Sequence, residues 1–335
     1  MKRLVLLFCA LLLALLAACR PEPEGGQMEE EPLHLESLSV EVPRSGLSAQ
    51  DLARTVRELP EALKAALASQ GAEVGAVTVS VGSSPSATAQ AVAEGGVDLA
   101  FLPAADYAAL KNPPELILAA GPAAPVLGKD PSAWSGEATG EPLLPGAPAL
   151  LCAAPTESGA ALANKAGDLT WEDLSIRWGA VEDESLQAVG LWLRDRYGET
   201  AAHVALSTYE SYEDLLRAAA AGEIDLLPLR DDVRREWAEA WPLDASKTDS
   251  RGVPGLGRPA PLWEELPVLA VTERLYTMAA VVRPEGETLA DERFSKALAA
   301  AVNGMLEEHP VFGPYAYGPA EDSALDLQRR LSGLG

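Results

Sequence analysis

Three kinds of residue are scarce in this 335-residue chain, and each scarcity closes off a class of function. There are 3 cysteines, and two of them, Cys9 and Cys19, fall at the extreme N-terminus. That leaves Cys152 alone, so neither an internal disulfide nor a cysteine metal site is open to it. It lies in the apolar stretch 149–153, which predicts a buried, inert thiol. The 3 histidines, His34, His203 and His309, are far apart with no helical i, i+4 pair, which argues against zinc. Basic residues number 26 against 50 acidic ones, a net charge of −24. Nucleic acid requires the opposite balance, and anionic ligands receive no long-range attraction from such a surface. The sequence has no Gly-x-Ser-x-Gly, no lysine-bearing phosphate loop and no Gly-x-Gly-x-x-Gly after a strand. We therefore expect no enzyme activity, no cofactor and no metal.

What is present begins with an export signal. Met1-Lys2-Arg3 is positive, residues 4–18 are apolar, and Leu16-Ala17-Ala18 places small residues directly before Cys19. The apolar run is shorter than the roughly 20 residues a spanning helix needs, and its layout is that of a cleavable secretory signal. The Leu-Ala-Ala-Cys ending resembles the lipobox of bacterial lipoproteins. That resemblance implies a signal peptide over 1–18, lipid on Cys19, and anchoring at the extracytoplasmic face of the cell membrane, since two or three acyl chains hold stably where one does not. Residues 19–36, rich in Glu, Pro and Gly, read as a disordered acidic tether with too little apolar surface to offset ordering entropy.

The remaining residues are 48% apolar across the whole chain, enough for a real core, and suffice for two lobes. Alternation at 38–42 predicts a strand. A helix follows with Leu52, Val56, Leu59, Leu63 and Leu67 on one face, capped by Ser48 or Asp51, kinked or split at Pro60 and ended at Gly71. Residues 77–81 form a second strand and Gly82-Ser83-Ser84-Pro85-Ser86 a polar loop. A helix over about 87–94 and a strand at 97–102 complete the unit. The unit recurs at 204–229. Ser80 precedes Asp98 by the same 18 residues that separate Ser207 from Asp225, as the sequence shows. Two copies of strand, loop, helix, strand predict two similar α/β lobes, each presenting its loops to a shared cleft beyond the carboxyl ends of its strands. Residues 148–154 and 267–282 are positioned to cross between lobes, so we expect lobe one over 37–148 plus 273–335 and lobe two over 149–272. Two crossings make a hinge.

The stretch from Val77 to Leu110, with Gly96-Val97-Asp98-Leu99-Ala100-Phe101-Leu102-Pro103 and Tyr107, resembles the phosphate/phosphite/phosphonate-binding proteins of ABC importers. Asp168-Leu169-Thr170-Trp171-Glu172-Asp173-Leu174 follows the same family's second lobe. The resemblance implies a type II periplasmic-binding-protein fold, α/β, each lobe a mostly parallel sheet flanked by helices and hinged by two crossover strands. It implies a monomer that captures a small ligand and passes it to an ABC permease. The cleft residues it and the loops nominate are Ser83, Ser84, Ser86, Tyr107, Glu184, Ser185, Tyr209 and Tyr212. The pocket positions depart from the family, however. Where it opens the lobe-two helix with hydroxyl residues that hold the anion, this chain has Glu182-Asp183-Glu184-Ser185, and the pocket histidine falls near Tyr212. A like-charge pair at about 5 Å costs roughly 3 kcal/mol at an effective dielectric of 20, and a micromolar affinity is worth only about 8 kcal/mol. Either these acids serve as first-turn helix caps, or they receive a cationic or polyhydroxyl ligand with Trp178 as an aromatic wall. A third possibility is a fold kept for sensing or interaction after the anion pocket was lost. Asp98 and Asp225 are expected to orient strand exits, and Arg44 to lie on the surface.

Overall fold

The computed structural model of the chain describes residues 32–335 apart from 45–46, 139–140, 166–167, 285 and 334–335. The export signal, Cys19 and most of the expected tether thus lie outside the described residues. In chain order the elements of the first part are β1 (Leu33–Val42), α1 (Ala49–Ser69), β2 (Ala72–Val81), α2 (Pro85–Ala93), β3 (Leu99–Pro103), α3 (Ala104–Ala108), β4 (Glu115–Gly121) and β5 (Ala124–Pro125). Then come β6 (Leu143–Leu144), β7 (Ala147–Ala153), α4 (Glu157–Ala163), α5 (Trp171–Leu174), β8 (Arg177–Val181), α6 (Glu184–Tyr197), β9 (Ala205–Tyr209), α7 (Tyr212–Ala221), β10 (Leu226–Arg230) and α8 (Asp231–Glu236). The chain finishes with α9 (Leu262–Glu265), β11 (Val268–Leu275), β12 (Met278–Val282), α10 (Glu292–Asn303), β13 (Ala316–Pro319) and α11 (Asp326–Leu331).

Two of these elements differ from the sequence expectation. β1 starts at Leu33, inside the stretch read as tether, because Leu33 and Leu35 pair beside Ala72 and Val74 on β2. The strongly acidic residues before it masked that short alternation. α1 is neither split nor ended at Pro60: it runs from Ala49 to Ser69 with Pro60 inside. Its buried face of Thr55, Leu59, Leu63 and Leu67 packs on lobe one, and that burial outweighs one lost backbone hydrogen bond. Ser48 is the cap, accepting from the Asp51 amide at 3.1 Å.

The sheets carry the architecture. The first has the order β13-β4-β12-β3-β1-β2 and the second β11-β7-β10-β8-β9. In both, the second strand of the lobe lies at an edge, then come the first and the third, then a strand arriving from the other lobe, then a fourth. The arriving strands, β12 and β7, are the antiparallel ones: β12 against β3, and β7 against β10. This shared order, with the chain passing from one sheet to the other and back, is the two-lobed type II arrangement. Both arriving strands are buried on both faces, so they read as unbroken apolar runs. Met278, Ala280 and Val282 join one core layer of the first lobe, and Ala279 and Val281 the other. Leu150 and Cys152 join one layer of the second lobe, and Ala149, Leu151 and Ala153 the other. Burial pushes the Cys152 thiol up to about 11, so the inert state expected of it follows.

Register fixes which ends face the cleft. Met278, where the chain re-enters lobe one, pairs with Pro103 at the carboxyl end of β3. Ala149, near the entry to lobe two, pairs with Arg230 at the carboxyl end of β10. The crossings therefore leave each sheet at the carboxyl ends of its parallel strands, and the loops after β1, β2, β3, β8, β9 and β10 all lie on the inter-lobe side.

Candidate functional site: the inter-lobe cleft

In lobe one, the loops after β1, β2 and β3 enclose a cavity of about 340 Å³ lined by Pro43, Arg44, Gly82, Ser83, Ser84, Pro85, Thr88, Phe101, Leu102, Pro103 and Asp106. Ser84 caps α2, accepting from the Ala87 amide at 3.2 Å, and its hydroxyl lies 3.3 Å from that of Ser86. Beneath them the Thr88 hydroxyl donates to the Glu41 carboxylate. Gly82 makes room for that pair: a Cβ there would collide with Thr88 Oγ1 and sit 2.9 Å from Glu41 Oε1. Arg44, expected on the surface, is exposed and stands at the mouth of this cavity.

In lobe two, the decisive residue is Asp183. It is the cap of α6, and its Oδ1 accepts from the amides of Ser185 at 2.9 Å and Leu186 at 3.4 Å. The Ser185 hydroxyl donates to the same oxygen at 2.6 Å, and the Tyr212 hydroxyl donates to Oδ2. Burial, then the adjacent Asp183 charge, hold the Tyr212 phenol well above its ordinary range. The free amides and dipole of a helix start would draw an anion. Here the protein's own carboxylate takes that place, with both hydroxyls that could have helped a ligand spent on it. Glu184 is half-buried, and burial lifts its carboxyl above the usual value against the pull of Arg230. Arg230 itself is tied to Asp232 by two bonds of 2.9 and 3.0 Å. What lobe two leaves open to the cleft is a shallow concavity of about 550 Å³ lined by Val181, Glu182, Thr208, Tyr209 and Glu210, which offers acceptors and an aromatic edge.

The hinge lies where the crossings touch. A Cβ on Gly121 would come within 3.0 Å of Gly146 Cα, and one on Gly146, which has φ +79°, within 3.0 Å of the Leu275 carbonyl. Arg274 clamps this junction, donating to the carbonyls of Leu144, Pro145 and Gly146 on one side and of Ala124 and Pro125 on the other.

Of the residues the sequence nominates, Ser83 and Ser84 line the lobe-one cavity and Tyr209 the lobe-two concavity. Ser86 is in the first turn of α2 and exposed. Glu184, Ser185 and Tyr212 gather around Asp183. Tyr107 is elsewhere: it is buried, and its hydroxyl donates to the Pro114 carbonyl at 3.0 Å and Asp322 at 2.9 Å. Trp178 is no aromatic wall either, since it is fully buried with its indole N–H on the Leu174 carbonyl at 2.8 Å. Asp98 and Asp225 precede β3 and β10, so they lie at strand entries rather than exits. Asp98 holds the Ser39 amide at 2.8 Å and Arg283 at 2.8 Å, and Asp225 holds Arg177 at 2.8 Å and Thr156 at 2.7 Å. Both are structural pins at matching points of the repeat. Sequence reasoning passed over Glu41, Thr88 and Arg274. The only available signal for the first two was Gly82 directly after a strand.

Among the described residues there is no group of three or more His, Cys, Asp or Glu side chains able to hold a metal, and no helix long and apolar enough to cross a membrane. No family model matches the chain, and no curated protein matches it in sequence. Solved structures similar to it include a binding-protein component of an ABC phosphonate transporter from Pseudomonas aeruginosa, 14% identical, covering 89% of this chain and 85% of that one with a TM-score of 0.35. Another is PhnD1 from Prochlorococcus marinus in complex with methylphosphonate, at 12%, 89% and 97%, with a TM-score of 0.37. A third is the periplasmic aliphatic sulphonate binding protein SsuA from Escherichia coli, at 14%, 89% and 91%, with a TM-score of 0.39.

Proposed function

We propose that this protein is an extracytoplasmic solute-binding lipoprotein, held to the membrane through Cys19, whose two lobes close on a small ligand and present it to an ABC permease. The observation that carries the reading is topological. Two sheets of one strand order turn their carboxyl-end loops to the same side and are joined by adjacent crossings at Gly121, Gly146 and Leu275. Such a pair of lobes on a two-stranded hinge is built to close, and ligands in open α/β sheets bind beyond the carboxyl ends. The ligand is a neutral or cationic solute rather than a phosphonate. Asp183 fills the start of α6, where an anion would otherwise be cradled, and Glu182 and Glu210 line the concavity beside it. The same observation favours a second reading, a binding protein retired from transport and kept as a sensor or interaction module.

Thermal unfolding of the chain with phosphate, methylphosphonate, amines and polyols separates these. A bound ligand at 100 times its Kd adds about 2.7 kcal/mol and raises the midpoint visibly. A shift with amines or polyols supports the first reading, a shift with the anions overturns the role given to Asp183, and no shift supports the second reading.

A further inference from the structure

The chain crosses between the lobes a third time. Leu325 is fully buried in the lobe-one core with Tyr107 and Ala104, whereas Leu327, two residues later, is buried in the lobe-two core with Leu269 and Leu275. The helix that begins between them, α11, lies across the hinge. Its Gln328 donates to the Tyr276 carbonyl in the turn between β11 and β12, at 3.2 Å. Its Arg329 sits over the Tyr107 ring of lobe one, 5.8 Å from the centroid, and bonds Asp322. Its Arg330 bonds Asp195 near the end of α6 in lobe two. α11 is therefore anchored in both bodies that a hinge motion would move apart or together.

We propose that α11 is a strap that holds the lobes at the separation seen here and is released, on its lobe-two side, when they rotate. A rotation about Gly121, Gly146 and Leu275 strains α11, because Leu325 and Leu327 are seated in opposite cores and lie about 7 Å apart along the backbone at most. The lobe-two anchor is the one to yield. It consists of Leu327, the partly buried Leu331 and one part-exposed ion pair, with side-chain exposures of 30% and 50% at Arg330 and Asp195. The lobe-one anchor adds the Tyr107, Asp322 and Arg329 cluster to a fully buried leucine. The strap sets the resting balance between open and closed cleft, and so the ligand concentration at which the cleft fills.

The test needs no ligand, so its outcome is separate from whether the cleft binds solute. Spin labels are placed through a keto amino acid at Gln90 on α2 and Gln187 on α6, both exposed, leaving the cysteines of the full chain untouched. Their separation is then measured by pulsed electron resonance. Loss of a part-exposed ion pair changes a two-state ratio up to about fivefold. Arg330→Ala and Asp195→Ala should each add a second distance population by that factor, and the exchanged pair Asp195→Arg with Arg330→Asp should remove it again. Leu327→Ser should enlarge the new population further. An unchanged distance distribution in Arg330→Ala and Asp195→Ala, with both proteins melting as the parent does, overturns the strap. So does a new population that the exchanged pair fails to reverse.

Discussion

Replacing Asp183 by alanine tests the central electrostatic claim, that this carboxylate serves α6 as a built-in anion. Its loss removes a helix cap worth about 1 kcal/mol. It also leaves the Ser185 hydroxyl, 1% exposed, and the largely buried Tyr212 hydroxyl without their charged acceptor. Each buried donor left without a partner costs about 1–3 kcal/mol, though the two are 3.2 Å apart and can bond each other. The sum is a destabilisation of about 2–4 kcal/mol, read as a lower urea midpoint at pH 7. Asp183→Ser restores the cap and should recover about 1 kcal/mol of it. The second readout is more discriminating. With the carboxylate gone and no side chain left to cap the helix, phosphate or methylphosphonate can approach the free amides of Ser185 and Leu186 and the two hydroxyls, and should raise the melting midpoint of Asp183→Ala while leaving that of the parent unmoved. A cost below about 0.5 kcal/mol for Asp183→Ala, or stabilisation of the parent protein by methylphosphonate, would refute the reasoning.

Three other perturbations follow from named contacts. Arg274→Met should cost about 2–4 kcal/mol in chemical unfolding, because the carbonyls of Leu144, Gly146, Ala124 and Pro125 lose a charged donor at a half-buried junction; a cost near zero would mean that the hinge is not clamped there. Gly82→Ala should lower the melting midpoint by the equivalent of about 1–3 kcal/mol, since its Cβ drives into Thr88 and Glu41, and Thr88→Ser should relieve none of it because Oγ1 is retained. His309 is buried, and burial lowers its pKa from 6.5 despite the opposing charges of Glu308 and Glu58, with Arg54 adding to the lowering. The neutral ring is thus the folded form. Its contribution to stability is present above pH 6.5 and is lost as pH falls from there through the depressed folded value. His309→Phe should flatten the fall in unfolding free energy below about pH 6.5; an identical slope in parent and variant would rule the histidine out as its source.

The fold was legible in the sequence because the repeat was visible twice. Ser80 to Asp98 and Ser207 to Asp225 keep one spacing, and the structure places each pair at the same two strands of matching sheets. The crossings were legible as apolar runs, since β7 and β12 are buried on both faces and need no alternation. Less could be read where the outcome depends on three-dimensional partners. Pro60 looks like a break until the buried face of α1 is in place. Tyr107 and Trp178 look like cleft residues by position, yet Asp322, 215 residues away, claims the hydroxyl of the first, and the lobe-two core claims the second. The acids at 182–184 were legible as a group and not one by one: one caps, one is half-buried and one faces the cleft.

That division of labour explains how an acidic loop can sit at a helix start without undoing the fold. A carboxylate placed on the helix axis is favoured by the same free amides and dipole that would favour a ligand anion, so Asp183 gains stability from the site instead of merely blocking it. The carboxylate thus stabilises lobe two, and an anion could take this helix start only if the cap were given up. Lobe one carries no such internal anion at the start of α2, where Ser84, a neutral hydroxyl, caps the helix and Arg44 stands at the cavity mouth. The two lobes share one strand order and one loop placement, but α6 starts on a carboxylate where α2 and α7 start on the neutral hydroxyls of Ser84 and Ser211.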